Sequence, residues 1–237
     1  MLLPENVIEV ARLRDRVHVF IDRAEAGAEL ARMIAGGRSA AGRGETDAHL
    51  FAIPAGGVPV AVPIAEKLGL AIDLAVVSKI TLPWNTESGY GAVAFDGTVR
   101  LNQALLPRLG LTEKQIEQGI ASTLGKVERR VRELRGQKSM PHLTDRTAIL
   151  VDDGLASGFT MLVAVEAMRR AGAARVEVAV PTAHLESVRL VSGEVDRLYC
   201  SNLRGGFYYA VAEAYQHWYD VSEQEVSALL PGVGRVR

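Results

Sequence analysis

Two adjacent aspartates, Asp152 and Asp153, close the apolar run Thr147–Val151 and open into Gly154-Leu155-Ala156-Ser157-Gly158-Phe159-Thr160, where a helical pattern begins. Strand, acidic pair, glycine-bearing loop and helix, in that order, carry a definite chemistry. A strand of an open α/β sheet ends at the carboxyl edge, where such sheets bind ligands. Gly154 and Gly158 let the backbone turn tightly and approach a bound group closely. The N–H groups that open the helix then face an anion, and the helix dipole adds about 0.3–2 kcal/mol. Ser157 and Thr160 supply hydroxyl donors. The loop has no lysine, which excludes the Gly-x-x-x-x-Gly-Lys type of nucleotide loop. The two carboxylates cannot also face the phosphate, because like charges repel. A sugar diol or a hydrated magnesium ion suits them instead. Phosphate on one side and hydroxyls on the other describe a ribose 5-phosphate. A plainer alternative is that Asp152-Asp153 only caps the following helix.

A second glycine-bearing loop, Ile53-Pro54-Ala55-Gly56-Gly57-Val58-Pro59, lies between a strand pattern and a helix pattern. Its glycine pair suits close backbone approach to an anion; taken alone, it also reads as an ordinary Gly-Pro turn. Residues Thr81 to Gly97 mix Pro83, Trp84, Asn85, Gly89, Tyr90, Gly91 and Gly97 without a helical period. A long irregular stretch in a compact domain is usually a lid or binding loop. The same stretch also reads as a hairpin, since Ala92–Phe95 and Thr98–Leu101 flank the turn dipeptide Asp96-Gly97. Both descriptions fit a two-stranded lid. The chain ends in an aromatic cluster, Phe207, Tyr208, Tyr209, Tyr215, Trp218 and Tyr219, which is either core or a platform for a planar ligand. His184 and His217 stand alone and read as structural.

Alternating strand and helix patterns must position these residues, which implies a parallel sheet covered by helices. The patterns place helices at Asp22 to about Ala35 (stopped by Gly36-Gly37), at Gly57–Leu68, at Thr112–Arg135 and at about Thr160–Ala171. Strands fall at Leu50–Ile53, Asp73–Ser78, Thr147–Val151, Arg175–Val180 and Arg197–Cys200. Gly42 to Thr46 reads as a polar loop. In the longest helix, Thr112 and Gln115 fit a capping box, and Ile116, Ile120, Leu124, Val127, Val131 and Leu134 recur every three or four residues. The elements read as a single domain over 1–237.

Composition narrows the function classes. With 237 residues, 48% hydrophobic content and a net charge of −1, the chain reads as an ordinary globular protein. No basic face points to nucleic acid; the charges at Lys126, Arg129, Arg130, Arg132 and Arg135 alternate with Glu128 and Glu133, as on a solvated helix face. The single cysteine, Cys200, reads as a packed thiol in a reducing compartment. Early charges exclude a signal core at the N-terminus, and Pro54, Pro59 and Pro63 spoil the longest uncharged stretch as a membrane helix. The expectation is a cytoplasmic protein without a membrane or nucleic-acid partner. A homodimer is the ordinary prior for oligomeric state.

Val151 to Thr160 resembles the phosphoribosyl-pyrophosphate signature of type I phosphoribosyltransferases: apolar strand, acidic pair, two residues, small residue, Ser/Thr, Gly, any residue, Ser/Thr. The resemblance runs from about Phe20 to the region of Val221, and is nearest to a bacterial and archaeal group without an established acceptor. It implies an α/β fold with a central, mainly parallel sheet flanked by helices. It also implies a small hood, from the N-terminal segment, residues 201–220 or both, and a flexible lid hairpin at about 79–100. By the same resemblance, Asp152 and Asp153 hold the ribose hydroxyls directly or through Mg2+. Gly154, Leu155, Ala156, Ser157, Gly158, Phe159 and Thr160 hold the 5-phosphate, and Ala55, Gly56 and Gly57 grip the pyrophosphate. The implied reaction transfers the 5-phosphoribosyl group from phosphoribosyl pyrophosphate to a nitrogenous base.

The sequence departs from the family at two places. Many relatives carry a basic residue where this chain has Ala55, and Lys79 is the candidate to replace that charge. Relatives acting on 6-oxopurines carry an aspartate where this chain has Ala156, which argues against hypoxanthine and guanine. Glu87 in the lid is then the candidate acid/base. The same departures motivate an alternative, a non-catalytic sensor of phosphoribosyl pyrophosphate or a nucleotide; a phosphoribosyl hydrolase is a third reading.

Overall fold

A computed structural model describes residues 3–40 and 47–230, with the backbone alone described at Thr86 and Glu87. The loop expected at Gly42–Thr46 lies outside the described residues. The first half of the chain forms β1 (Val7–Glu9), α1 (Arg23–Ala40), β2 (Ala48–Ala52), α2 (Gly57–Leu68), β3 (Ala71–Leu74), β4 (Val77–Leu82), β5 (Asn85–Ala94) and β6 (Val99–Leu101). There follow α3 (Leu106–Leu109), α4 (Glu113–Arg135), β7 (Thr147–Val151), α5 (Phe159–Arg170), β8 (Arg175–His184), α6 (Leu185–Ser192), β9 (Arg197–Arg204) and α7 (Glu223–Leu229).

Six strands form a wholly parallel sheet in the order β1-β9-β8-β7-β2-β3. Its central strands β2 and β7 are buried along their full length, as expected when helices cover both faces and leave no reason for polar alternation. Ala52 pairs with Val151 and Val151 with Ala179, so β2 and β7 end level at the carboxyl edge. Strands β8 and β9 run further, through Thr182–Asn202, Ala183–Leu203 and His184–Arg204. The overhang makes a wall beside the loop that leaves β7.

The antiparallel strands β4, β5 and β6 form a second sheet. The expected hairpin is present: Val93 pairs with Val99 across Asp96-Gly97, where Gly97 adopts φ +84°. Most of the stretch that lacked a helical period is regular strand, with bulges near Thr81. Its base is firmly held, because Tyr90, Ala92, Val93 and Ala94 are buried in the apolar clusters beneath α4 and α5. Its described exposed residues are Lys79 on β4, Pro83, Trp84, Asn85 and Ser88 at the tip, and Asp96, Gly97 and Val99 around the second turn.

Several boundaries differ from the sequence expectation. Helix α1 continues through Gly36-Gly37 instead of stopping there. A Cβ at Gly37 would come within 2.8 Å of the Tyr199 ring, so this glycine serves close packing of helix on sheet. The strand expected at 73–78 is two strands in different sheets, parted at Ala75-Val76. The short elements β1, α3, α6 and α7 carry too few residues for a readable period. The capping box is as expected, with the Gln115 N–H donating to Thr112 Oγ1 at 3.3 Å and the Thr112 N–H to Gln115 Oε1 at 2.9 Å. On the outer strand β3, one residue before its end, buried Asp73 pairs with the Arg135 guanidinium through Nε at 3.1 Å and Nη2 at 3.2 Å. No helix among the described residues is long and apolar enough to cross a membrane.

Candidate functional site

Both glycine-bearing loops leave the level ends of β2 and β7, and they meet. The Ile53 N–H donates to the Val151 carbonyl at 2.8 Å, tying the first loop to the end of β7. A Cβ at Gly56 would collide with Asp153 Oδ2, and one at Gly57 with the Val151 carbonyl oxygen. The glycine pair is therefore dictated by packing against the acidic loop. The Pro54–Ala55 peptide is cis, and the Gly57 N–H closes the turn onto the Ile53 carbonyl at 3.0 Å.

The second loop is clamped from three sides. Leu155 docks on the overhang of β8: its N–H donates to the Thr182 carbonyl at 3.0 Å, and its carbonyl accepts from the His184 N–H at 3.1 Å. Ser187 Oγ donates to the Ala156 carbonyl from α6. Val211 closes over Gly154, where a Cβ would lie 2.6 Å from a Val211 methyl. Gly158 takes the left-handed conformation at φ +78° and hands the chain to α5. The first helical bond runs from the Leu162 N–H to the Gly158 carbonyl, so the N–H groups of Phe159, Thr160 and Met161 precede any intrahelical acceptor. Ala156 and Ser157 are exposed at the mouth of the loop. This geometry suits an anion at a helix N-terminus.

Asp152 and Asp153 sit between the loops. Asp152 Oδ1 accepts from the Asp153 N–H at 2.9 Å. Asp153 Oδ2 accepts from Arg23 Nε at 3.0 Å and Arg23 Nη2 at 2.9 Å, and the Asp153 carbonyl accepts from Tyr215 Oη at 2.7 Å. Burial raises the carboxyl pKa of Asp152 well above its ordinary value, and the charge of Asp153 raises it further. Burial also raises that of Asp153, against the opposing pull of Arg23. Two crowded carboxylates of this kind gain by donating groups from a ligand.

The other expected residues are more dispersed. Lys79 is exposed on β4, with its stem beside Gly89. Glu87 falls on β5, and its side chain lies outside the described residues. The aromatic cluster splits: Phe207 and Tyr208 are 95% and 82% exposed, whereas Tyr215 is buried. Tyr209 reaches Thr182 Oγ1 at 3.4 Å. His184 Nε2 lies 3.1 Å from the Gly206 carbonyl, a structural contact. Burial pushes the Cys200 thiol up, in keeping with a packed, inert residue.

The sequence reading missed Arg23, and named Tyr215 only within the aromatic cluster, without its bond to the Asp153 carbonyl. Arg23 is 5% exposed, donates to the Tyr219 carbonyl through Nη1 at 3.0 Å, and stacks over Trp218 at 4.0 Å. Its one local signal is Asp22, which caps α1 by accepting from the Glu25 N–H at 2.9 Å. A cap next to an arginine says nothing about a partner 130 residues away. Around it, the segment before α1 is knitted to residues 213–217: the His18 N–H donates to the Glu213 carbonyl, Phe20 to Ala214, and Gln216 to Phe20. Leu13, Phe20, Ala26, Ala214 and Tyr215 form a small core of their own there.

Fold and site together define an α/β protein with a parallel central sheet, which presents two glycine-bearing loops and an acidic pair at one sheet edge. Residues 21–212 match the family model described as the phosphoribosyl transferase domain, and the chain belongs to that family. A Mycobacterium tuberculosis H37Rv protein provisionally named a phosphoribosyl transferase is 31% identical over 212 residues, covering 90% of this chain and 46% of the relative. The protein of strain CDC 1551 matches to the same extent. The chain thus spans about half the length of these relatives. The crystal structure of TT1426 from Thermus thermophilus superposes with a TM-score of 0.72 at 29% identity, covering 91% of this chain and 99% of that one.

Proposed function

We propose that the chain transfers the 5-phosphoribosyl group from phosphoribosyl pyrophosphate to a nitrogenous acceptor, releasing pyrophosphate. The observation that carries this reading is the contact of the two loops across the acidic pair, with Gly56 against Asp153 and Gly57 against Val151. One continuous ligand can then present its 5-phosphate to Gly154–Thr160, its hydroxyls to Asp152 and Asp153, and its diphosphate to Ala55–Gly57. The reaction proceeds through an oxocarbenium-like state at the anomeric carbon, so the protein must hold the ribose and exclude water. The exposed tip of the β4–β5 hairpin is the lid in this reading, and the segment before α1 with residues 205–220 is the hood. Lys79 and Glu87 keep their roles as candidate cation and acid/base.

Among the described residues no group of three or more His, Cys, Asp or Glu side chains could hold a metal ion. Magnesium fits as an ion carried with the substrate, bound by one or two carboxylates together with diphosphate oxygens and water. When bound, it would neutralise charge on the leaving pyrophosphate.

The test is pyrophosphate release from phosphoribosyl pyrophosphate and magnesium with a panel of bases. Release that depends on one base, and that Asp153→Asn abolishes, supports the transferase. Ala55 and Ala156 favour a second reading, a non-catalytic sensor, which predicts tight binding without release on any acceptor. Release without a base would mark a hydrolase.

A further inference from the structure

The proposed reaction leaves one buried charge of the site unused. Arg23 is 5% exposed and held at three points: the Asp153 carboxylate, the Tyr219 carbonyl and the face of Trp218. Such a guanidinium has no freedom to follow a ligand. Both of its contacts to Asp153 fall on Oδ2, at 2.9 and 3.0 Å, leaving Oδ1 uncommitted to it. Gly56 packs against the same Oδ2, with which a Cβ at that position would collide. Asp153 is thus fixed in one orientation by a cation behind it, next to a second carboxylate that would otherwise repel it.

We propose that Arg23 is a positioning residue: it aims Asp153 Oδ1 at a sugar hydroxyl, and so makes the site selective for a phosphosugar that keeps both ribose hydroxyls. The inference rests on the reading of the site as one for a phosphoribosyl group. Lysine could not replace it, because a single ammonium cannot grip Asp153 and the Tyr219 carbonyl while lying flat on Trp218. Trp218 contributes by stacking on the guanidinium. The hood thereby acts on the ribose from behind, without touching it.

The experiment compares the affinities of ribose 5-phosphate and 2-deoxyribose 5-phosphate by calorimetry, in the wild type, Arg23→Met, Arg23→Lys and Trp218→Leu. Charge-assisted hydrogen bonds of this kind correspond to about a 10- to 100-fold preference for the ribose compound in the wild type. Arg23→Met should lose most of that preference while its affinity for the deoxy compound stays within about two-fold, which also shows that the phosphate loop is folded. Arg23→Lys should recover little, and Trp218→Leu should lose about two- to five-fold of the preference. In an Asp153→Asn background, Arg23→Met should have no further effect on the ratio. A wild-type ratio retained in Arg23→Met would overturn the inference and leave the reading of the site intact. Tighter ribose binding in Arg23→Met would also overturn it, by showing Arg23 to be a competitor that the sugar displaces. If the wild type binds neither compound, the reading of the site fails and the inference with it.

Discussion

The two halves of the site are built differently. At the sheet edge, the loop Gly154–Thr160 is pinned by β8, α6 and Val211, and the loop Ile53–Gly57 is packed against Val151 and Asp153 with no room for a Cβ at Gly56 or Gly57. On the side facing solvent, Phe207, Tyr208 and the tip around Trp84 are exposed. Groups that are preorganised hold a ligand at small entropic cost, whereas exposed aromatic residues must be ordered by whatever they bind. Under the proposed function, the rigid half would hold the phosphosugar and the open half would choose the acceptor.

The comparison breaks most readily at Gly56. Gly56→Ala drives a methyl into Asp153 Oδ2, and the expected result is a loss of phosphoribosyl pyrophosphate affinity of more than about 100-fold, the scale set by overpacking a filled site. Gly36→Ala is its control, since a Cβ there meets nothing within 4 Å. It should stabilise α1 by up to about 1 kcal/mol, seen as a raised denaturation midpoint with unchanged binding.

Asp152→Asn is expected to weaken binding about 10- to 100-fold and yet stabilise the free protein at neutral pH. The sign follows from the raised carboxyl pKa. A group whose folded pKa lies above its unfolded one contributes stability below the unfolded value, about 3.9 for aspartate, and loses it as pH rises through the folded value. The stability advantage of the asparagine variant should therefore widen from about pH 4 upward in urea titrations. An advantage that shrank with rising pH would show that burial does not dominate at Asp152.

Smaller effects sharpen the contrast further. Ser187→Ala removes a hydroxyl that holds the Ala156 carbonyl, worth about 1 kcal/mol, so phosphosugar affinity should fall several-fold in the same calorimetric assay. Phe207→Ala, at the opposite extreme, should leave the melting temperature and donor affinity unchanged and alter only the KM of the acceptor.

The same contrast explains what the sequence could and could not reveal. The order of strand, acidic pair, glycine-bearing loop and helix was legible because it lies within Val151–Thr160, on one continuous unit. The second loop was legible only as a glycine pair, and its reason emerges when Gly56 meets Asp153. Arg23 was invisible because its partner comes from the end of β7 and its aromatic floor from the far end of the chain. Gly36-Gly37 misled for the converse reason. A glycine that signals a helix stop locally is retained inside α1, where Gly37 meets Tyr199 of β9. Local patterns report local bonds, and tertiary approach overrides them.

The central claim is that both loops serve one ligand. Its most direct measurement is calorimetric titration of the wild-type protein with phosphoribosyl pyrophosphate and magnesium, repeated in the presence of ribose 5-phosphate or of inorganic pyrophosphate. A single site that each competitor displaces from its own side is the predicted result. Absence of binding, or a competitor that leaves the titration unchanged, would contradict it.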